Sequence, residues 1–91
     1  MSTTSTATVR LNNIDAIAVD VVIVDNYGDP TDWDPIAIPA GKFQDVPGLK
    51  VLAGTASIDW TATAIGRKDN GPNTVKGLVD KDVVDVKAGP P

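Results

Sequence analysis

The sequence contains no cysteine, no histidine and no glutamate. Without cysteine the chain can form neither a disulfide framework nor a thiolate metal site. Without histidine it lacks the commonest general base and transition-metal ligand, so Ser–His–Asp and Cys–His catalytic arrangements are impossible within one chain. These absences exclude a thiolate nucleophile, Cys-type zinc and iron–sulfur sites, and His-dependent nucleophilic catalysis within this chain.

Positive charge is also scarce, because the chain has only eight Lys and Arg residues but twelve acidic residues, which gives a net charge of -4. All twelve acids are aspartate. A nucleic-acid-binding surface needs clustered Lys and Arg, and the longest cluster here, Arg67-Lys68, is followed at once by Asp69. We therefore expect no nucleic-acid partner.

Long apolar runs are missing too. No apolar stretch approaches the roughly 20 residues that span a bilayer, so we expect no membrane insertion. The N-terminal residues 1–5 are rich in Ser and Thr and carry no basic segment before an apolar one, which is unlike a secretory signal. We therefore expect a cytoplasmic or particle-associated location rather than a secreted one.

The abundant side chains are β-branched: 12 Val, 7 Ile and 9 Thr among 91 residues. Such side chains suit the pleated surface of a sheet. Eight Gly and seven Pro interrupt the chain at short intervals, and no window has the apolar periodicity of a helix. The sequence predicts an all-β domain over residues 6–88, between a flexible N-terminus (1–5) and a C-terminal tail (89–91).

Alternating apolar and polar residues predict about seven short strands. The clearest runs from Ala56 to Ile65, with Trp60 in the core. A second strand, about Ala16 to Asp25, places Ile17, Val19, Val21 and Ile23 on one face. Pro47-Gly48 predicts the end of an extended piece that starts at Phe43, and residues 66–73 predict a polar loop. Gly77 predicts either a bulge or a close approach of another backbone. The last two strands, Thr74 to Val79 and Asp82 to Lys87, predict a C-terminal hairpin.

This number of strands in this length of chain predicts a small antiparallel β-sandwich, immunoglobulin-like in size and pattern, with a small β-barrel as the alternative. The outer face of the second strand is half apolar, because it carries Val22 and Val24. A core of Val, Ile and Ala in so short a chain leaves a thin margin of stability. We therefore expect Val22 and Val24 to form an oligomer interface.

The segment from Asp25 to Asp34 is the densest group of functional side chains. Carboxylates at this spacing predict a Ca2+ site, since Ca2+ takes six to eight oxygen ligands; the candidates are Asp25, Asp29, Asp32 and Asp34. The alternative is a solvated loop in which these aspartates cap turns.

The same loop predicts a sugar-binding platform in which Tyr27 and Trp33 stack on a ring and Asn26 adds hydrogen bonds. The alternative is that Trp33 covers the open end of the core. Paired aspartates could act as acid and base on a glycoside, but the sequence offers no apolar pocket to raise the pKa of one of them. We therefore expect no enzyme activity.

These observations lead to three hypotheses. The first is a non-enzymatic structural or protein-interaction module that binds another protein or assembles with copies of itself, with no cofactor. The second is a carbohydrate-binding module that uses the aromatic loop, with or without the assistance of Ca2+. The third is a subunit or appendage of a virion or another large particle.

Overall fold

The computed structural model describes residues 6–28 and 35–91. Within these ranges the protein is all-β and contains seven strands. They are β1 (Thr6–Asn13), β2 (Val19–Asp25), β3 (Ile36–Ile38), β4 (Phe43–Lys50), β5 (Ala56–Thr63), β6 (Asn70–Leu78) and β7 (Val83–Val86).

The strands form two separate sheets, which confirms the predicted sandwich rather than a barrel. One sheet has three strands in the order β4-β1-β7, and the other has four in the order β3-β2-β5-β6. All pairs are antiparallel except β1 with β7, which is parallel. The order differs from that of an antibody constant domain, where the first, second, fifth and fourth strands form one sheet.

Side chains that alternate along the strands fill the space between the sheets. In β2, Val19, Val21 and Ile23 are buried, whereas the residues between them are exposed. Trp60 is buried on β5, as the sequence predicts. The hydrophobic core consists mainly of Val, Ile, Leu and Ala from both sheets. Burial of aliphatic surface on both inner faces therefore holds the two layers together.

The second strand begins later than the sequence predicts. Residues 14–18 form a loop, so β2 starts at Val19 and Ile17 is exposed instead of lying on the inner face. The cause is the buried side chain of Asn13, whose Nδ2 donates to the carbonyl oxygen of Ile17 at 2.9 Å. This hydrogen bond holds the chain in a compact turn that an extended strand could not make.

The predicted C-terminal hairpin is wrong, because β6 and β7 belong to different sheets. The turn between them is bound to β1: the Lys81 N–H donates to the Thr8 carbonyl, and the Arg10 N–H donates to the Asp82 carbonyl. The Thr8 N–H also donates to Asp80 Oδ1 at 2.8 Å. These bonds to β1 direct the last strand across the sandwich.

Glycines explain two further differences in strand length. Pro47-Gly48 does not end the strand, because Gly48 has a φ of 78° and lies in a register shift opposite Ala7 and Val9. Similarly, β6 begins at Asn70 inside the predicted loop, where a Cβ on Gly71 would lie 2.7 Å from the Trp60 carbonyl oxygen. The predicted bulge at Gly77 is confirmed by the shift between Leu78 and Val75.

The connections divide between two ends of the sandwich. The upper end comprises loops 14–18, 39–42 and 64–69 together with residues 87–91. The lower end comprises turns 51–55 and 79–82 and residues 26–28. Residues 89 and 90 lie against the 64–69 loop, since the Gly89 N–H donates to the Lys68 carbonyl and the Lys68 N–H donates to the Pro90 carbonyl.

Candidate binding surfaces

Asp25 performs a structural task at the lower end. Its side chain is buried, and its two carboxylate oxygens accept backbone N–H groups from Tyr27, Gly28 and Lys50. These bonds start the turn after β2 and attach it to the end of β4. An aspartate that caps a turn in this way matches the alternative to a calcium site.

Asn26 is also bound to its neighbours. Its Nδ2 donates to Ser57 Oγ at 3.0 Å and to Asp59 Oδ1 at 3.1 Å, so the amide side chain lies on β5. Tyr27 is half-buried. Four other members of the two predicted sites, Asp29, Asp32, Trp33 and Asp34, lie outside the described residues. The sugar-binding platform and the calcium site therefore stay predictions; among residues 6–28 and 35–91 no three acidic side chains form a metal-binding group.

The outer face of the four-stranded sheet carries the predicted interface residues Val22 and Val24, which are 38% and 42% exposed. Their partners across β5 are polar: Val22 lies opposite Thr61, and Val24 lies opposite Asp59. Asp59 accepts hydrogen bonds from Thr74 Oγ1 at 2.7 Å and from Asn26 Nδ2. These two bonds lower the pKa of Asp59 below its ordinary value, with Thr74 contributing most. The apolar area on this face is therefore small and interrupted by an anchored charge.

The outer face of the three-stranded sheet has different chemistry. Phe43 on β4 is 52% exposed, and the guanidinium carbon of Arg10 lies 3.7 Å from the centroid of its ring. Arg10 Nε also donates to Asp45 Oδ1 at 2.9 Å, and this hydrogen bond raises the pKa of Arg10. Aromatic and arginine side chains are the types most enriched at protein interfaces. We call the outward residues of β1, β4 and β7 the Arg10–Phe43 face.

An open concavity of about 520 Å³ adjoins this pair. Its lining residues are Thr8, Arg10, Asp45, Asp80, Lys81 and Val83. Val83 is 56% exposed and lies opposite Arg10 in the register of β1 and β7. The concavity thus combines an exposed apolar wall with charged groups of both signs.

The Arg10–Phe43 face was not predicted from the sequence, because its members are far apart in the chain. Phe43 and Asp45 alternate on β4, which places both on one side of that strand. Nothing further in the sequence relates them to Arg10 and Val83, because only the register of β4, β1 and β7 brings those two residues beside them.

The edge strands offer poor sites for adding another strand. β3 has three residues between Pro35 and Pro39, and β7 has four residues. β4 and β6 are longer, but each contains a proline and a bulge at a glycine of positive φ. Short strands, prolines and bulges are the features that block edge-to-edge pairing. A partner would therefore bind to the outer faces or the ends.

The upper end exposes three isoleucines on loops that are tied together. They are Ile14, Ile17 and Ile65, and Ile65 is 98% exposed. Asp15 lies between these loops, where Oδ1 accepts from Arg67 Nη1 at 3.1 Å and Oδ2 accepts from the Ala88 N–H. Burial alone would raise the pKa of Asp15, but hydrogen bonds from Ala16, Ala88 and Arg67 outweigh it and lower the pKa.

Comparison with known proteins identifies no relative: the chain matches no protein-family model, no curated protein and no solved structure. Residues 6–28 and 35–91 include no helix with the length and apolarity that a membrane crossing requires. The exposed surfaces of the sandwich are therefore the features from which a function can be inferred.

Proposed function

We propose that this chain is a non-enzymatic protein-interaction module that assembles with copies of itself through the Arg10–Phe43 face. The observation that supports this most is the exposed Phe43 ring with Arg10 fixed 3.7 Å above it, beside an open concavity. An exposed aromatic ring costs free energy in water unless a partner covers it.

The arrangement of Arg10 favours binding over a purely structural role. A side chain that is already held in one rotamer loses little conformational entropy when a partner binds. Arg10 is held by Asp45 on one side and by the Phe43 ring on the other. Both groups remain about half exposed, so a partner can still reach them.

Charge supports a second copy as the partner. Two copies, each with a net charge of -4, repel each other. This repulsion is weakest where the surfaces in contact carry no net charge. The lining of the concavity is balanced, because Arg10 and Lys81 match Asp45 and Asp80. Such a surface lets the cations of one copy meet the carboxylates of another.

Sedimentation velocity over a concentration series tests the proposal. We expect the wild-type weight-average mass to rise with concentration above 9.4 kDa. Phe43→Ser should weaken association at least tenfold, the equivalent of about 1.4 kcal/mol.

Val22→Ser is the matched control, because it removes an exposed apolar side chain from the other outer face. We expect it to leave association unchanged. A wild type that stays monomeric at every concentration would overturn the proposal. Loss of association in Val22→Ser alone would instead assign the interface to the predicted Val22 and Val24 surface.

A further inference from the structure

We infer, on the basis of the proposed self-assembly, that copies join head to tail: the Ile65 loop at the upper end of one copy inserts into the concavity of the next. The two surfaces belong to the same chain but to different parts of it. Three properties of the pair support the match, namely shape, apolar exposure and charge.

The Ile65 loop is a projecting apolar group on a fixed base. Ile65 is 98% exposed, so its own fold buries almost none of its side chain. The loop around it is nevertheless anchored, because the Arg67 N–H donates to the Ala64 carbonyl and Arg67 Nε donates to the Gly89 carbonyl at 2.6 Å. Arg67 also binds Asp15 in the neighbouring loop. A projection held in place in this way can enter a recess at a small entropic cost.

The concavity supplies the recess for this projection. It is open to solvent, has a volume of about 520 Å³ and presents Val83 on its wall. Val83 is 56% exposed, so it too gains from being covered. Contact between Ile65 of one copy and Val83 of the next would remove both aliphatic groups from water.

Charge favours the same pairing. The upper end carries four cations, Lys42, Arg67, Lys68 and Lys87, against two carboxylates, Asp15 and Asp69. Because the whole chain has a net charge of -4, the side chains outside the upper end carry a net charge of -6. The concavity itself is balanced, because Arg10 and Lys81 match Asp45 and Asp80 in its lining. The upper end of one copy is therefore attracted to the acidic remainder of another, and the concavity adds no net repulsion at the point of contact.

A contact between these two different surfaces determines the symmetry of the assembly. A projection and a recess on different surfaces make a heterologous contact, which leaves each end copy with one unused surface. Assembly of this kind continues into a chain or closes into a ring, whereas two identical faces in contact stop at a dimer. The mode of contact can therefore be read from mixtures of variants.

The experiment uses two variants of the full chain, Ile65→Asp and Val83→Asp, in sedimentation velocity alone and mixed in equal amounts. Each variant alone should associate at least tenfold more weakly than wild type, because each lacks one of the two surfaces. The mixture should form a complex of one copy of each, since Val83→Asp keeps the projection and Ile65→Asp keeps the recess. That complex should not grow further.

Leu52→Asp serves as the control, because Leu52 is exposed on the lower-end turn and belongs to neither surface. It should assemble like wild type. Circular dichroism should give the same spectrum for all variants, since every substituted side chain is more than half exposed.

Two outcomes overturn the inference while leaving the proposed function standing: a wild-type dimer that Ile65→Asp does not weaken, or a mixture that stays dissociated while the wild type assembles. A wild type that remains monomeric at all concentrations overturns both. The heterologous contact also predicts weaker assembly at higher salt; assembly that strengthens with salt would contradict its electrostatic part.

Discussion

The two outer faces of this sandwich each expose a pair of apolar side chains, yet the surroundings of the pairs differ. Val22 and Val24 lie on the four-stranded sheet opposite Thr61 and Asp59, and Asp59 is held by two hydrogen bonds. Phe43 and Val83 lie on the three-stranded sheet, where Arg10 stacks on the ring and a concavity opens beside it. An outward apolar residue thus becomes a binding candidate through its cross-strand neighbours.

The two pairs also differ in the free energy that a partner would gain by covering them. Valines at 38% and 42% exposure keep most of their surface in contact with their own sheet. Covering them would therefore remove less apolar area from water than covering Phe43 and Val83, which are both more than half exposed. The neighbouring charge on Asp59 would also have to be dehydrated or remain at the rim.

The largest expected effect comes from Asn13, which joins the two sheets. Its Nδ2 on β1 donates to the carbonyls of Ile38 and Pro39 at the end of β3, and its Oδ1 accepts the Asp15 N–H. Asn13→Ala should lower the free energy of unfolding by about 3 kcal/mol, because it leaves buried carbonyl groups without donors. Urea unfolding measures this, and a loss below 1 kcal/mol would show that the sheets do not depend on this joint.

A matched pair of glycines compares the edge strands of the two sheets, and its larger member gives an effect of similar size. Gly71→Ala on β6 should cost about 3 kcal/mol, because the added Cβ would collide with the Trp60 carbonyl and because φ is 141°. Gly48→Ala on β4 meets nothing within 4 Å, so only its φ of 78° opposes it, at about 1 kcal/mol. Equal losses in thermal or urea unfolding would contradict the close packing of β6 on β5.

The smallest expected effect concerns Asp59 and the stability of the four-stranded face in acid. Because hydrogen bonds from Thr74 and Asn26 lower the pKa of the folded carboxyl, the unfolded chain takes up its proton at a higher pH. The stabilisation from Asp59 is therefore complete above the unfolded pKa and is lost as the pH falls through the folded pKa. Thr74→Val should raise the pKa of Asp59, which NMR titration measures. The free energy of unfolding should then fall less steeply as the pH is lowered.

An unchanged Asp59 titration in Thr74→Val would contradict the assignment of the shift to that hydroxyl group. Asp59→Asn provides the reference, because it removes the titrating group from the same position. Its unfolding free energy should vary less between neutral and acidic pH than that of the wild type.

The sequence predicted the parts of the fold that depend on local alternation. The inner set Val19, Val21 and Ile23, the core position of Trp60 and the bulge at Gly77 could each be inferred from a few neighbouring residues. Prediction was wrong where a distant partner changes the backbone: Asn13 shortens the second strand, and β1 captures the turn that precedes β7.

The candidate surface was less accessible to prediction than the fold. Arg10, Phe43 and Val83 come from three strands separated by more than thirty residues, and no sequence spacing relates them. The predicted sites at Val22, Val24 and Asp25 were local patterns, which is why sequence analysis could find them. In the structure Asp25 binds backbone N–H groups, a use that depends on Lys50 approaching it from β4.

The amino-acid order alone was enough to fix the all-β class and the inward side of most strands, because β-branched composition and a period of two act within a single strand. It also determined which catalytic and metal-binding residue types these 91 residues lack, since absent residue types cannot be supplied by folding. Only the tertiary structure decided which strands pair, which outward residues meet and where the concavity lies. Pairing depends on hydrogen bonds and packing between distant segments, and those contacts exist only after the two sheets have come together.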